Sequence, residues 1–185
     1  MQKVDKKVED LFQYYKNNGF NHSTDEIVEG MSISRKTFFN RYKSKENSVW
    51  MVVKFWFDNI RERFHEKTMQ CNHAVEELLQ FGYEIHFIRS KEKHLYQYVQ
   101  QSGLLLSSEC PLVSILGEII QKGINHYQFK EDVSSHLYAM FVVNNIAHYP
   151  FSNEEQEEIV RFLLAPIVTD RTKELMKELN FSFYD

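Results

Sequence analysis

Three helix starts crowd into the segment STDEIVEGMSISRKTFFNRYKSKE, Ser23 to Glu46, and they constrain the fold more than any other feature of the chain. Ser23 followed by Glu26 is a capping box: the serine hydroxyl answers an exposed amide of the first turn, and the glutamate returns the bond. It predicts a short helix over Thr24–Met31 that buries Ile27 and Met31. Ser32-Ile33 is a tight connection, and Ser34 caps a second short helix running through Tyr42. Lys43-Ser44-Lys45-Glu46 then opens a long helix, to about Met69, with an apolar stripe of Val49, Val52, Val53, Trp56, Ile60 and Phe64. Two short helices joined by a few residues, with Ile33 in the turn, are a helix-turn-helix pattern.

The helix before this segment follows from Val4, Val8, Leu11, Phe12 and Tyr15, which recur at steps of three and four over residues 3–18. Asn17-Asn18-Gly19 stops it, with the glycine suited to a left-handed cap. Only six glycines and three prolines occur in 185 residues, and no alternating β-branched run is bounded by turns. An all-α protein follows. Cys71-Asn72-His73 is the expected break between head and body. Further helices are expected at about 74–90, 92–103, 110–128, 131–148 and 153–180, the last with a kink at Pro166. The division is a helix-turn-helix head at 1–46, a connecting helix at 47–69, and a larger helical domain at 70–185.

Charge is distributed along the same division. Residues 1–69 hold 13 Lys/Arg against 10 Asp/Glu, whereas the remainder is acidic and the whole chain carries −4. Arg35, Lys36, Arg41, Lys43 and Lys45 fall within eleven residues uninterrupted by an acid. Such a run is most often a solvated face, but its place on the second helix of a helix-turn-helix favours nucleic acid. On that helix Phe38 and Tyr42 share the core side. Arg35, Lys36, Asn40 and Arg41 face away, with Thr37 at the boundary. Arg35, Lys36, Thr37, Phe39 and Asn40 are expected to enter or border a DNA major groove. Thr24, Arg41, Lys43 and Lys45 are expected to hold phosphates, and Ser34 starts the helix at the same surface.

The stretch VEDLFQYYKNNGFNHSTDEIVEGMSISRKTFFNRYKSKENSVW resembles the DNA-binding domain of the TetR family of transcriptional repressors. The matching features are Leu11-Phe12, Gly19-Phe20, Ser23/Thr24 with Ile27, Ile33-Ser34, Thr37-Phe38-Phe39 with Tyr42, and Ser44-Lys45-Glu46. The match covers about the first 50 residues. Departures are Val28 and Met31 at usually small positions, Ser32 for Gly, Lys36 for a neutral or small residue, and Phe39 for a Tyr that often bonds a phosphate. The resemblance implies a three-helix head and a larger ligand-binding and dimerisation domain. It further implies a homodimer on a palindromic double-stranded operator, released by an unidentified small-molecule effector. Under it, Phe87, Tyr96, Val99, Tyr127 and Tyr138 would line the ligand pocket. Leu137, Phe141, Ile159, Phe162 and Leu163 would form the dimer interface. The alternative is a helical protein-interaction module that keeps the fold without ligand-controlled operator binding.

Enzyme chemistry is not indicated. His65, Cys71 and His73 match no metal-site spacing, no Gly-rich phosphate loop occurs, and neither cysteine carries a nucleophile signature. No cofactor or metal is expected. Two cysteines, no secretory signal at the N-terminus and apolar runs too short to span a membrane point to a cytoplasmic protein.

Overall fold

The computed structural model describes residues 6–148 and 165–178, and within them every regular element is a helix, apart from one isolated β-bridge. Its helices are α1 (Lys6–Asn18), α2 (Thr24–Gly30), α3 (Arg35–Tyr42), α4 (Lys45–Thr68), α5 (Ala74–Lys91), α6 (Lys93–Gln101), α7 (Pro111–Asn125), α8 (Ser135–His148) and α9 (Asp170–Glu178). Single 3-10 turns lie at Leu104–Leu106 and Ala165–Ile167.

The head is closed by the caps expected of it. Ser23 accepts from the Glu26 amide while the Glu26 carboxylate accepts from the Ser23 amide at 2.7 Å. Ser34 accepts from the Thr37 amide and Ser44 from the Asn47 amide. Gly19 sits at φ +80, the left-handed conformation that ends α1 and turns Phe20 back onto the body. Gly30 serves a different need: a Cβ there would stand 2.5 Å from the Tyr14 ring, so only glycine lets α1 lie this close to the end of α2.

At 24 residues α4 is about 36 Å long and belongs to both halves. Val49, Val52 and Val53 pack in the head beside Leu11, Tyr15 and Phe38, whereas Phe57, Ile60 and Phe64 serve the body, and the core is continuous between them. In the body α7 packs most extensively on α8, and also on α5 and α4. Leu104–Asn125 is long and apolar enough to cross a membrane, but half of that stretch is buried in the bundle, as a core helix is.

A buried ionic cluster joins four helices. Glu92, at the junction of α5 and α6, is 2 % exposed, and its carboxylate accepts from the Trp56 indole at 2.6 Å and from Arg63 at 3.1 Å. Glu84, 1 % exposed, accepts from the same Arg63 at 2.6 Å and from Lys67 at 3.0 Å. Lys16, on the last turn of α1, lies 3.5 Å from Glu92. Arg63 also covers the Phe87 ring at 4.9 Å.

The structure corrects the C-terminal expectation. A single helix kinked at Pro166 is replaced by a break: Ala165–Ile167 forms a 3-10 turn, Val168 bridges Phe129, and α9 begins at Asp170. Lys130 donates its amide to the Ile167 carbonyl at 2.8 Å and Thr169 donates to the Gln128 carbonyl at 3.1 Å. These backbone bonds to the α7–α8 loop hold the segment extended where a helix would need its amides internally. The α8 expectation of 131–148 shortens to Ser135–His148.

Removing one member of a buried ion cluster leaves the others less well compensated. Arg63→Ala, which removes the one cation shared by both buried carboxylates and leaves Lys67, Lys16 and Trp56 to hold them, is expected to lower stability by about 3 kcal/mol. The check is the urea midpoint at unchanged m-value.

Candidate nucleic-acid interface

The second helix of the helix-turn-helix, α3, is fixed from behind. Phe38 and Tyr42 are fully buried, and the Tyr42 hydroxyl donates to the Lys7 carbonyl at 2.9 Å, tying α3 to α1. Asn47 donates its side-chain amide to the Tyr42 carbonyl at 2.8 Å, tying the end of α3 to the start of α4. Beneath them the Tyr15 and Ser48 hydroxyls share a buried hydrogen bond of 3.1 Å. The outward face is thereby aimed by interactions that use none of its own residues.

That face carries Lys36, Asn40 and Arg41, all exposed, and none of their side chains has a hydrogen-bond partner among the described residues. Lys43, also exposed, reaches the Asn40 carbonyl at 3.4 Å. Lys45 is half-buried at the first turn of α4 and makes no salt bridge among the described residues. Thr24 is half-buried at the first turn of α2. Ser34 and Thr37 hydroxyls are 2.9 Å apart, so each supports the other at the head of α3. Phe39 is 45 % exposed and meets Phe38 edge-on. An exposed Phe at this place offers an apolar contact, such as a thymine methyl accepts, where a hydroxyl would bond a phosphate.

Arg35 departs from its expected freedom. Its Nε and Nη2 donate to the two Asp25 carboxylate oxygens in a bidentate pair that clamps α3 to α2. The guanidinium holds the Asp25 carboxyl below its usual range. Two of the five Arg35 donors are committed to this pair, and the remaining ones face solvent.

In the body, a cleft of about 360 Å³ opens between α4, α5 and α7, with Phe64, Ile115 and Ile119 among its apolar lining and Arg61, His65, Glu77 and Lys122 among its polar lining. Glu77 and Lys122 pair with each other, and Arg61 donates to the Glu109 carbonyl at 3.2 Å. His73 Nδ1 bonds the Gln128 side-chain amide at 3.1 Å, and Cys71 Sγ lies 3.9 Å from the Lys67 carbonyl.

The five aromatic and aliphatic residues expected to line a pocket do not line this cleft. Phe87 lies under Arg63, and Val99 is fully buried in the core. Tyr96 is 6 % exposed with a buried hydroxyl that has no hydrogen-bond partner, and burial raises its pKa. Tyr138 is half-buried, with its pKa also raised by burial. Tyr127 stands on the surface, 66 % exposed, at φ +58 just beyond α7. Of the expected interface residues, Leu137 and Phe141 are 66 % and 53 % exposed on α8, whereas Ile159, Phe162 and Leu163 lie outside the described residues.

No family model and no curated protein matches the sequence. Solved structures do match in fold. A γ-butyrolactone receptor described as ArpA-like aligns with a TM-score of 0.66 at 12% identity over 93% of both chains. The reduced form of Escherichia coli NemR aligns with a TM-score of 0.68 at 13% identity, covering 88% of this chain and 97% of its own. The ketosteroid transcriptional regulator KstR2 of Mycobacterium tuberculosis aligns with a TM-score of 0.59 at 16% identity, covering 91% and 98%. The fold is that of TetR-family regulators.

The clamp makes a prediction with a defined sign. Because the Asp25 pKa is lowered, the pair persists through the ordinary carboxylate range and is lost only as pH falls below it. In Asp25→Asn the Arg35 Nε–H resonance, followed by NMR at neutral pH, should move to the position of a free guanidinium. An unmoved resonance would place the guanidinium elsewhere.

Proposed function

We propose that this protein is a sequence-specific DNA-binding transcriptional regulator, a repressor released when a small molecule binds its body. The observation that carries the reading is the α3 face. Lys36, Asn40 and Arg41 stand exposed without internal partners on a helix whose orientation is fixed from behind by Phe38, Tyr42 and Asn47. Lysine and arginine suit guanine edges, asparagine suits adenine, and Lys43 and Lys45 flank the face where a phosphate backbone would run. Arg35 serves chiefly to orient the reading helix, a positioning role rather than the base contact its place first implies.

Release requires that the body and the head share an equilibrium. The cleft between α4, α5 and α7 supports this, since α4 walls it and also anchors α3 at its other end. Its lining suits a small molecule with an apolar body and a polar end that meets His65 or Arg61. Two of the similar structures are named for small, largely apolar molecules, a γ-butyrolactone and a ketosteroid. A palindromic operator calls for two heads, and the exposed Leu137 and Phe141 on α8 offer an apolar surface for a second copy. The protein acts in the cytoplasm under this reading, and without catalysis.

The test is a gel shift against the DNA upstream of the protein's own gene, together with selection from a random duplex library. A specific sequence should emerge, with affinity falling steeply as salt rises. Lys45→Gln should weaken binding to all duplexes alike and reduce the salt slope by about one. Lys36→Ala and Asn40→Ala should relax preference at single base pairs by about 1–3 kcal/mol each. Absence of any selected sequence, at low and moderate salt, would sink the reading.

A further inference from the structure

A second cleft, of about 340 Å³, lies where the head meets the body, at the opposite end of the α4 scaffold from the effector cleft described above. Its lining is largely aromatic and aliphatic. Phe20, just after α1, is stacked on Tyr98 of α6 at 4.2 Å with rings 21° apart. On its other side Phe20 stacks on Tyr15 at 4.7 Å and 14°, so three rings from head and body form one pile that reaches the cleft. Trp50 of α4 also lines the cleft and is 36 % exposed, with Val49 just before it and Val53 one turn on. A volume above about 300 Å³ is enough for a small organic molecule, and flat aromatic walls favour a flat aromatic guest.

The polar residues at this cleft are Lys45 and Glu46. Glu46 is committed to the start of its own helix: its carboxylate is held by its backbone amide and by Ser44, which lowers its pKa. Lys45 makes no salt bridge among the described residues. Its charge also acts through space on Glu46 and Glu26, but neither carboxylate reaches it as an ion pair, which leaves its N–H donors for the carboxylate of an acid, a partner that a neutral or cationic molecule lacks.

We propose that this joint is a binding site for a planar aromatic carboxylic acid, its ring stacked along Trp50 and Tyr98 and its carboxylate on Lys45. The site is separate from the effector cleft between α4, α5 and α7. Lys45 is also the phosphate contact assigned above, so an occupied joint and a bound duplex would compete for one ammonium. That consequence rests on the DNA-binding reading, whereas occupancy of the site does not.

Naphthalene-2-carboxylate is a suitable probe, with naphthalen-2-ylmethanol as its uncharged counterpart. Calorimetric titration of the full chain without DNA should give saturable one-to-one binding of the acid. Lys45→Gln, on a half-buried residue outside the core, should weaken the acid about tenfold, the worth of one charge-assisted hydrogen bond, and leave the alcohol unchanged. The two tryptophans locate the guest: Trp50 lines the cleft and Trp56 is fully buried elsewhere. Fluorescence quenching by the acid should therefore vanish in Trp50→Phe while calorimetric binding is retained. No saturable binding, an equal loss for acid and alcohol in Lys45→Gln, or quenching that survives Trp50→Phe would each overturn the site. Once a bound duplex is in hand, the acid should lower its affinity for the wild type but not for Lys45→Gln. Equal effects on both would overturn the competition.

Discussion

Two carboxylates with almost no access to water hold the two halves of this molecule in register. Glu84 and Glu92 lie within one helix of each other on the body side, and Arg63 of α4 donates to both, at 2.6 Å and 3.1 Å. The desolvation such acids suffer is tolerable only with several donors in place. Trp56, Lys67 and Lys16 supply the rest. Because Lys16 belongs to α1 and Glu92 begins α6, the same cluster decides how the head sits on the body. A displacement of α6 cannot leave α1 unaffected without separating charge in a low-dielectric interior. The cluster is thus a physical link between the body and the head.

Next to that charged seam runs an apolar one. The ring pile of Tyr15, Phe20 and Tyr98 crosses from head to body a few residues from Lys16. Together they make α1 and α6 a two-part joint, one part sensitive to direction and the other adaptable in area. Stacked rings slide at little expense, whereas the ion cluster resists separation. Rotation of the head about α4 is thus easier to accommodate than its withdrawal.

Much of the head was legible in the sequence because its determinants are local. Ser23, Ser34 and Ser44 each accept from the amide three residues ahead, and a reader needs only the spacing to find them. The burial of Phe38 and Tyr42 follows from one helical face. The Asp25 pair of Arg35 was not legible, because its partner is ten residues away, across a turn whose geometry the sequence does not display. Glu84 and Glu92 gave no sign of burial, since an acid on a helix is ordinarily solvated and its cations lie 21 and 29 residues away on α4. The break after Pro166 depends on amides paired with a loop some 40 residues earlier. The body's aromatics are too many for composition to separate ring-on-cation packing, as at Phe87, from surface exposure, as at Tyr127.

Two residues flanking α3 adopt backbone conformations that side chains resist: Ser32 at φ +53 and Lys43 at φ +68. Neither is glycine, so each is held there at an expense of order 1 kcal/mol by its surroundings. A helix bracketed by two such corners has few alternative trajectories for its connecting backbone, in the free protein as in any complex. Whatever partner meets the outward face of α3 then orders little backbone there on binding, and the binding free energy is not spent on ordering it. Glycine at Ser32 and Lys43 would relieve the corners and widen the set of unbound shapes, trading local comfort for a larger entropy to be lost on ordering.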